Sequence, residues 1–257
     1  MPTTRPDILL IQSPIQAIDH TRRTLLAQNF NLINYDCTTL SDFRQRMHPG
    51  RPYASLQAIL RLGWHKVGAY ADLKPFIQHG HGSAFPPSLK ILCSSGHGYD
   101  AADTFALAKR GIWYCNTPNA CTEAVANSAL WLVLDTFRYL TFAQNSARHD
   151  WSLSWDFGME AEDPTGNSLG IAGLGDIGMA IARKSEVAYG MRVHYCGPRR
   201  KVENEKGLEY GARYYETVED MIPAVDCLVL AAPFTRETHH MLGRDQFALA
   251  KPSVSGS

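Results

Sequence analysis

The sequence has few of the features that mark a metal site or a secreted, disulfide-linked protein. Its six cysteines include no CxxC pair, and no Cys/His cluster has the spacing of metal ligands. Only one basic side chain, Arg5, precedes the apolar run that starts at Ile8, so the N-terminus resembles neither a secretory nor a transit signal. Cysteine usage of this kind is typical of a reducing compartment. We therefore expect a cytoplasmic protein without a bound metal.

Long apolar runs and an excess of one charge are also missing. The longest apolar stretches, such as 129–134 and 227–232, are about six residues long, far shorter than a membrane-spanning helix. Lysine and arginine number 25, as do aspartate and glutamate, which gives a formal net charge of +0. Because no overall charge steers the chain to nucleic acid or to an anionic membrane, we expect neither as a partner.

The 257 residues contain 45% hydrophobic side chains, enough for two domains with cores of their own. Short apolar runs alternate with longer helical patterns, which is typical of βαβ units around a parallel sheet. The sequence therefore predicts an α/β fold. In the first half, strands are predicted at 7–11, 89–93 and 112–115 and a helix at 101–109, while 55–62 fits either a strand or a helix.

Apolar residues cover most of the circumference of the helix predicted from Thr122 to about Arg138, so we expect it to be buried nearly all round. Residues 148–167 show no period and are predicted to form an ordered loop joining two domains. Beyond this segment, strands are predicted at 169–173, 191–196 and 227–232, with helices at 177–189 and 218–222.

A glycine pattern opens the second half. Gly173, Gly175 and Gly178 form a GxGxxG that follows a predicted strand and begins a predicted helix, as in a dinucleotide-binding turn. Gly173 would permit the tight turn, Gly175 would let backbone amides approach a diphosphate, and Gly178 would let the helix pack on the strand. Asp176 and Ile177 lie in the first helical turn, where N–H groups and the helix dipole favour an anion. The alternatives are a turn without a ligand and an adenosyl group bound by a methyltransferase.

The end of the next strand favours NADP over NAD. An NAD site normally places an Asp or Glu about twenty residues after the glycines, where it binds the adenosine ribose. Here the strand ends at Cys196, and no carboxylate occurs before Glu203. Gly197 leaves room for a 2′-phosphate, and the guanidinium groups of Arg199 and Arg200 would neutralise it. The alternative is a solvated basic turn.

Several further segments occur in a distinctive order: Gly96–Asp103, Arg110–Ile112, Cys115–Pro118, Thr122–Ala126, Leu169–Gly178 and Pro233–Thr238. In this order and spacing they resemble the D-isomer-specific 2-hydroxyacid dehydrogenase family, over about residues 7–252. Thr38-Thr39 before Phe43, Phe137-Arg138 and residues 238–242 look most like the fungal branch that includes D-mandelate dehydrogenase and glyoxylate or hydroxypyruvate reductases.

The resemblance implies a flavodoxin-like substrate domain at residues 1–118 and a Rossmann domain that binds NAD(P) at 119–257. It also implies that backbone amides at His97 and Gly98 bind the carboxylate of a 2-keto acid. The imidazole of His97 is then part of the pocket wall rather than a proton donor, because the family supplies its acid from elsewhere.

Two further positions are assigned through the resemblance. Thr122 and Pro233 would contact the nicotinamide or its ribose, and core packing is the alternative for both. The family supplies its catalytic Arg, Glu and His from positions beyond Pro252, so no catalytic residue is assigned in this sequence. We expect a C-terminally truncated chain whose second domain is incomplete, since about four strands are counted after Leu169 and a Rossmann domain typically has six.

The function implied by the resemblance is that of an NAD(P)-dependent D-2-hydroxyacid dehydrogenase, or 2-ketoacid reductase, which pairs as a homodimer through its cofactor domain. One alternative is a non-catalytic dinucleotide-binding protein that senses the cofactor or forms a heterodimer with a full-length paralogue. Another is a premature stop or a misread gene end.

Overall fold

The structure, a computed structural model, divides the chain into two compact units, Met1–Ala120 and Cys121–Ser257. Each unit is built on one parallel sheet, so the α/β fold predicted from the sequence is confirmed. The residues that the structure describes are 5–12, 20–62, 85–99 and 102–252.

The described part of the first unit contains five strands in the order β2-β1-β3-β4-β5, all of them parallel. This is the strand order of flavodoxin-like folds. Its elements are β1 (Asp7–Gln12), α1 (His20–Asn29), β2 (Asn31–Asn34), α2 (Leu40–Arg46), β3 (Leu56–Leu62), β4 (Ile91–Ser94), α3 (Thr104–Lys109) and β5 (Trp113–Cys115).

The centre of this sheet explains why residues 55–62, which the sequence left open, form a strand. Ile59 on β3 lies between Leu9 on β1 and Leu92 on β4, and all three are 0% exposed. Gln57 and Arg61 interrupt the apolar run, so its sequence fits a helix as well as a strand, and pairing on both sides inside the sheet makes it a strand. The predicted helix over 101–109 begins at Thr104, where Asp103 accepts a capping bond from Ala106 N–H at 2.9 Å; residue 101 lies outside the described residues.

The described part of the second unit contains four parallel strands in the order β8-β7-β6-β9, which matches the 3-2-1-4 part of the doubly wound dinucleotide fold. The sequence indicates about four strands in this region but places only three of them, and the strand at Ala212–Tyr215 is the one that it does not place. The elements are α4 (Thr122–Arg138), α5 (Leu140–His149), α6 (Leu153–Glu160), β6 (Ser168–Ala172), α7 (Asp176–Tyr189), β7 (Arg192–Cys196), α8 (Val202–Lys206), β8 (Ala212–Tyr215), α9 (Val218–Met221), β9 (Cys227–Leu230) and α10 (Arg244–Phe247).

Strand β6 forms the centre of this unit. Ile171, which is 0% exposed, is the register partner of Tyr195 on β7 and of Val229 on β9. Helix α7 packs onto the same core with a run of buried residues from Met179 to Ala182. Because β6 and β7 are parallel neighbours, the loops that follow them leave the same edge of the sheet, and this places the glycine turn beside the basic turn.

The prediction that the helix over Thr122–Arg138 is buried nearly all round is wrong. Ala126, Val133 and Phe137 are buried, but Trp131 and Leu132 are 51% and 54% exposed. The helix, α4, packs on α7 by one face, and the opposite face has no covering element among the described residues. Apolar composition predicts the helix but not how many neighbours it has.

The prediction of an ordered loop over residues 148–167 is also wrong. Helix α6 occupies Leu153–Glu160 and packs against α5 through the rings of Phe142 and Phe157, whose centroids are 4.0 Å apart. The segment lies inside the second unit and does not join the two units. A helix of eight residues is too short to show a clear period in the sequence.

Membrane-spanning helices and disulfides are both absent from the described residues. None of their helices combines the length and the apolar composition needed to cross a membrane. All six cysteines are free thiols.

Candidate functional site

The glycine turn between β6 and α7 requires glycine at two of its three positions. Gly173 has φ +100°, and a Cβ there would lie 2.8 Å from the backbone nitrogen of Ala232. A Cβ on Gly178 would overlap the carbonyl oxygen of Gly173. The first glycine therefore permits the turn and close packing against the chain after β9, and the third lets the helix approach the turn.

Gly175 serves a different purpose, because a Cβ there would meet nothing within 4 Å. The space beside it is open, and α7 begins there without a side-chain cap. Within the described residues, the first N–H of α7 to find a backbone acceptor is that of Met179, which donates to Gly175 at 2.8 Å. The N–H groups of Asp176 and Ile177 are thus left for a ligand at the positive end of a 14-residue helix. This arrangement fits a diphosphate.

Two hydrogen bonds fix the position of the glycine turn. The N–H of Gly173 donates to the carbonyl of Cys196, at the end of β7, at 3.0 Å. The side-chain amide of Asn204, on α8, donates to the carbonyl of Leu174 at 3.0 Å. The turn is therefore held from β7 on one side and from α8 on the other.

The basic turn after β7 separates the two arginines that the sequence grouped together. Arg199 is exposed and forms no ion pair within the described residues. Arg200 instead binds Glu205 with two parallel hydrogen bonds, Nε to Oε1 and Nη2 to Oε2, each 2.9 Å long. The Arg200 guanidinium and the Tyr195 hydroxyl lower the pKa of Glu205, and the same ion pair raises the pKa of Arg200.

Tyr195 links this ion pair to the backbone of the turn. Its hydroxyl donates to Glu205 Oε1 at 2.6 Å and accepts the N–H of Lys201 at 2.7 Å. Burial and the bond to Glu205 raise the pKa of Tyr195 to about 12. Tyr214, on β8, donates its hydroxyl to the carbonyl of Gly197 at 3.0 Å. The basic turn is therefore held at its start, through the Gly197 carbonyl, and at its end, through the Lys201 N–H.

In the first unit, the loop after β4 is held by the segment that follows β5. The N–H of Gly96, which has φ +109°, donates to the hydroxyl of Thr117 at 2.8 Å. Asn116 donates its side-chain amide to the carbonyl of His97 at 2.6 Å, and Asn119 N–H donates to His97 Nδ1 at 3.2 Å. The imidazole is thus used within the loop, while Gly98 is exposed.

The structure places the remaining two predicted residues at the ends of secondary-structure elements of the second unit. Thr122 is the first residue of α4, and its buried hydroxyl has no hydrogen-bond partner among the described residues. Pro233 is exposed shortly after β9, and its carbonyl accepts the hydroxyl of Thr238 at 2.6 Å. A buried hydroxyl without a hydrogen-bond partner is uncommon in a folded protein.

Sequence reasoning missed Tyr195, Asn204, Glu205 and Tyr214. Glu205 pairs with Arg200 across a turn, at a spacing that no helix or strand period predicts. Helix α8 is five residues long, too short to stand out in the sequence. The one available signal was the aromatic residue Tyr195 in a strand whose buried hydroxyl would need a partner.

Known proteins resemble this chain both in the second unit and over nearly its whole length. Residues 130–255 match the family model described as D-isomer specific 2-hydroxyacid dehydrogenase, NAD binding domain. The chain is 36% identical over 173 residues to a glyoxylate reductase of Thermococcus gammatolerans, a match that covers 65% of this chain and 51% of that protein. It is 30% identical over 251 residues to glyoxylate/hydroxypyruvate reductase B of Pectobacterium carotovorum subsp. carotovorum, covering 97% of this chain and 70% of that one. The chain thus spans about half the length of the first of these relatives.

Solved structures resemble the fold over nearly all of the chain. The holo form of Rhodotorula graminis D-mandelate dehydrogenase superposes with a TM-score of 0.83 at 30% identity, covering 96% of this chain and 71% of that one. An NADPH-dependent glyoxylate/hydroxypyruvate reductase from Sinorhizobium meliloti, in complex with NADP and malonate, superposes with a TM-score of 0.68 at 28% identity, covering 96% and 68%.

Proposed function

Because the chain belongs to the D-isomer-specific 2-hydroxyacid dehydrogenase family, we propose that it binds a nicotinamide dinucleotide and acts on a small 2-keto acid. The reaction is reduction to the 2-hydroxy acid, with glyoxylate, hydroxypyruvate or an aryl glyoxylate as candidate substrates. The observation that carries the proposal is the turn at Gly173–Gly178, which leaves open space and free N–H groups at the start of α7. Relatives named glyoxylate reductase and D-mandelate dehydrogenase support the substrate class.

In this proposal the unit Cys121–Ser257 is the cofactor domain. The N–H groups at the start of α7 bind the diphosphate, and the glycines at 173 and 178 allow the turn to keep its shape around it. Thr122 and Pro233 contact the nicotinamide or its ribose; the unpartnered hydroxyl of Thr122 supports this role. When bound, the nicotinamide supplies or accepts a hydride.

The unit Met1–Ala120 is then the substrate domain. Backbone N–H groups at His97 and Gly98 bind the carboxylate of the keto acid, since convergent amides in a glycine-containing loop form an anion site. Asn116, Thr117 and Asn119 hold that loop in place. Reduction of a carbonyl also needs a cation to polarise it and an acid to protonate the alkoxide.

NADP is the proposed cofactor in preference to NAD. The basic turn after β7 carries Arg199 and Arg200, and no carboxylate from β7 lies where it would repel a 2′-phosphate. The S. meliloti reductase, whose structure contains NADP, supports this choice.

Binding and turnover are tested separately with the purified chain. We expect the fluorescence of NADPH to change on binding. Oxidation of NADPH when glyoxylate, hydroxypyruvate or phenylglyoxylate is added would support the reductase and would contradict the expectation that the catalytic Arg, Glu and His lie beyond Pro252. Binding without turnover for any of these acids would contradict the reductase and favour a non-catalytic dinucleotide-binding protein. Absence of binding would contradict the proposal as a whole.

We also propose that the chain forms a homodimer through the cofactor domain. The uncovered face of α4 exposes Trp131 and Leu132, and the adjoining segment exposes Trp151, Trp155 and Met159 by 62%, 70% and 85%. Large apolar side chains exposed to this degree are typical of a protein interface. A second copy of the chain would cover it.

A cytoplasmic location is also proposed. All six cysteines are free, which is the usual state of cysteine in a reducing compartment. Fractionation of cells that express the tagged chain tests this, and recovery in a secreted or organellar fraction would contradict it.

A further inference from the structure

The turn from Gly197 to Lys201 is fixed by side chains that the proposed binding of NADP does not itself require. Tyr214 holds the Gly197 carbonyl at 3.0 Å, and Tyr195 holds the Lys201 N–H at 2.7 Å. The rings of these two tyrosines pack together with centroids 5.3 Å apart. Between the two anchored ends, the residues that project to solvent are Pro198 and the two arginines.

The two arginines differ in what their side chains already bind. The carboxylate of Glu205 receives three hydrogen bonds, one from Tyr195 at 2.6 Å and two from Arg200 at 2.9 Å. Its side chain is 10% exposed, so releasing Arg200 would leave a nearly buried carboxylate without its counter-ion. Arg200 therefore stays on Glu205, and its charge is largely neutralised there. Arg199, the preceding residue, has no ion pair with any residue that the structure describes.

We propose that Glu205 and Tyr195 position this turn so that Arg199, and not Arg200, binds the 2′-phosphate of the cofactor adenosine. This inference rests on the proposed binding of NADP, and it gives the two arginines of the basic turn different roles. Arg199 is the residue that distinguishes NADP from NAD, because its charge is uncompensated and its fork geometry suits a phosphate. Glu205 and Tyr195 are positioning residues that act through the backbone of the turn and through Arg200.

Helix α8 also carries Asn204, the residue before Glu205, which contacts the glycine turn rather than the basic turn. Asn204 binds the Leu174 carbonyl in the glycine turn, whereas Glu205 binds the basic turn. The diphosphate is common to NAD and NADP, but the 2′-phosphate belongs to NADP alone. Changes at Asn204 and Glu205 are therefore expected to affect cofactor binding in different ways.

The test is a fluorescence titration that gives the dissociation constants of NADPH and NADH for the full chain and its variants. Arg199→Ala should weaken NADPH binding by about tenfold or more and leave NADH binding within about twofold, while Arg199→Lys should recover part of the loss. Arg200→Ala breaks the same ion pair as a change at Glu205, so it should lower the NADPH/NADH ratio by no more than about three- to tenfold, less than Arg199→Ala does. Arg200→Lys, which keeps a cation for Glu205, tests the same point if the alanine variant does not fold.

Glu205→Gln should lower the preference for NADPH by about three- to tenfold with little change for NADH, because the turn loses its charged anchor. Glu203→Gln is the matched control, since Glu203 is an exposed carboxylate on the same helix that pairs with Lys206 at 2.8 Å. The NADPH/NADH ratio of this variant should equal that of the wild type. A merely structural role for Glu205 would weaken both cofactors in proportion.

The outcomes separate this inference from the cofactor choice on which it rests. A wild-type chain that binds NADH as tightly as NADPH overturns the proposed choice of NADP and this inference together. A wild-type preference for NADPH that falls equally in the Arg199 and Arg200 variants overturns only the assignment to Arg199. A ratio in Glu205→Gln that stays at the wild-type value, or rises, overturns the positioning role.

Discussion

The side-chain amide of Asn204 donates a hydrogen bond to the carbonyl of Leu174 at 3.0 Å, which ties helix α8 to the glycine turn. Asn204→Ala removes this tether without adding bulk. We expect NADPH and NADH binding to weaken together by about three- to tenfold, because the bond positions the part of the site that binds the shared diphosphate. Titration of both cofactors checks this, and an effect on NADPH alone would contradict it.

A methyl group at the third glycine of the turn should damage folding. A Cβ on Gly178 would overlap the Gly173 carbonyl oxygen, so Gly178→Ala is expected to lower the free energy of unfolding by about 1–3 kcal/mol. Gly175→Ala is the control, since the space around its Cβ is open. Urea denaturation should show a lower midpoint for the first variant only; equal midpoints would contradict the packing described here.

Acid should destabilise the protein partly through Glu205. The pKa of Glu205 is lowered in the folded state by Arg200 and Tyr195, so its contribution is present above its ordinary value of 4.5 and is lost as the pH falls below that. Glu205→Gln should remove this part of the pH dependence, and the exposed Glu203→Gln should not. Urea midpoints measured from pH 3 to pH 7 for the three proteins test the point. Parallel curves for wild type and Glu205→Gln would refute it.

The side chain of His97 should matter less than its backbone. General acids contribute about 100-fold or more to turnover, whereas a pocket-wall imidazole does not, so His97→Gln is expected to keep kcat within about tenfold and to leave the pH profile unchanged. Asn116→Ala, which frees the His97 carbonyl, should instead raise KM for the keto acid. Ketoacid-dependent oxidation of NADPH measures both. Loss of one limb of the pH profile in His97→Gln would show that the imidazole transfers a proton.

The uncovered face of α4 should control association. Trp131→Ala removes a 51% exposed aromatic side chain, and loss of such an anchor typically costs about 2 kcal/mol of binding. Sedimentation equilibrium should show a dimer for the wild type and a weaker one for the variant. Trp113→Ala, on the exposed edge of the first unit, should leave the dimer intact. A wild-type chain that sediments as a monomer would contradict the homodimer.

Much of the fold could be predicted from the sequence because its strands are short apolar runs bounded by glycines and helices. Leu9 and Leu92 lie in short apolar runs that predict strands, whereas the strand of Ile59 between them is interrupted by Gln57 and Arg61 and could not be told from a helix. The exposed face of α4 could not be predicted, since apolar residues identify a helix but not the number of surfaces that cover it. The eight-residue helix α6 was missed because it is too short to establish a period.

The candidate site was predictable where local geometry dictates the residue type. Gly173 has a positive φ and Gly178 contacts a carbonyl, so only glycine fits at either position. The partition between Arg199 and Arg200 depends on Glu205, which meets Arg200 only after the chain has turned into α8. Such a contact has no sequence period, and it appears only in three dimensions.

The most direct test of the account compares NADPH binding to the wild-type chain and to Gly175→Ala in the same fluorescence titration. Because a Cβ at this position has open space around it in the protein, the variant should fold normally, but its methyl group would occupy the space through which the diphosphate approaches the start of α7. We predict saturable binding to the wild type and a loss of about tenfold or more in the folded variant. Equal binding by both proteins would show that the glycine turn is not the dinucleotide site.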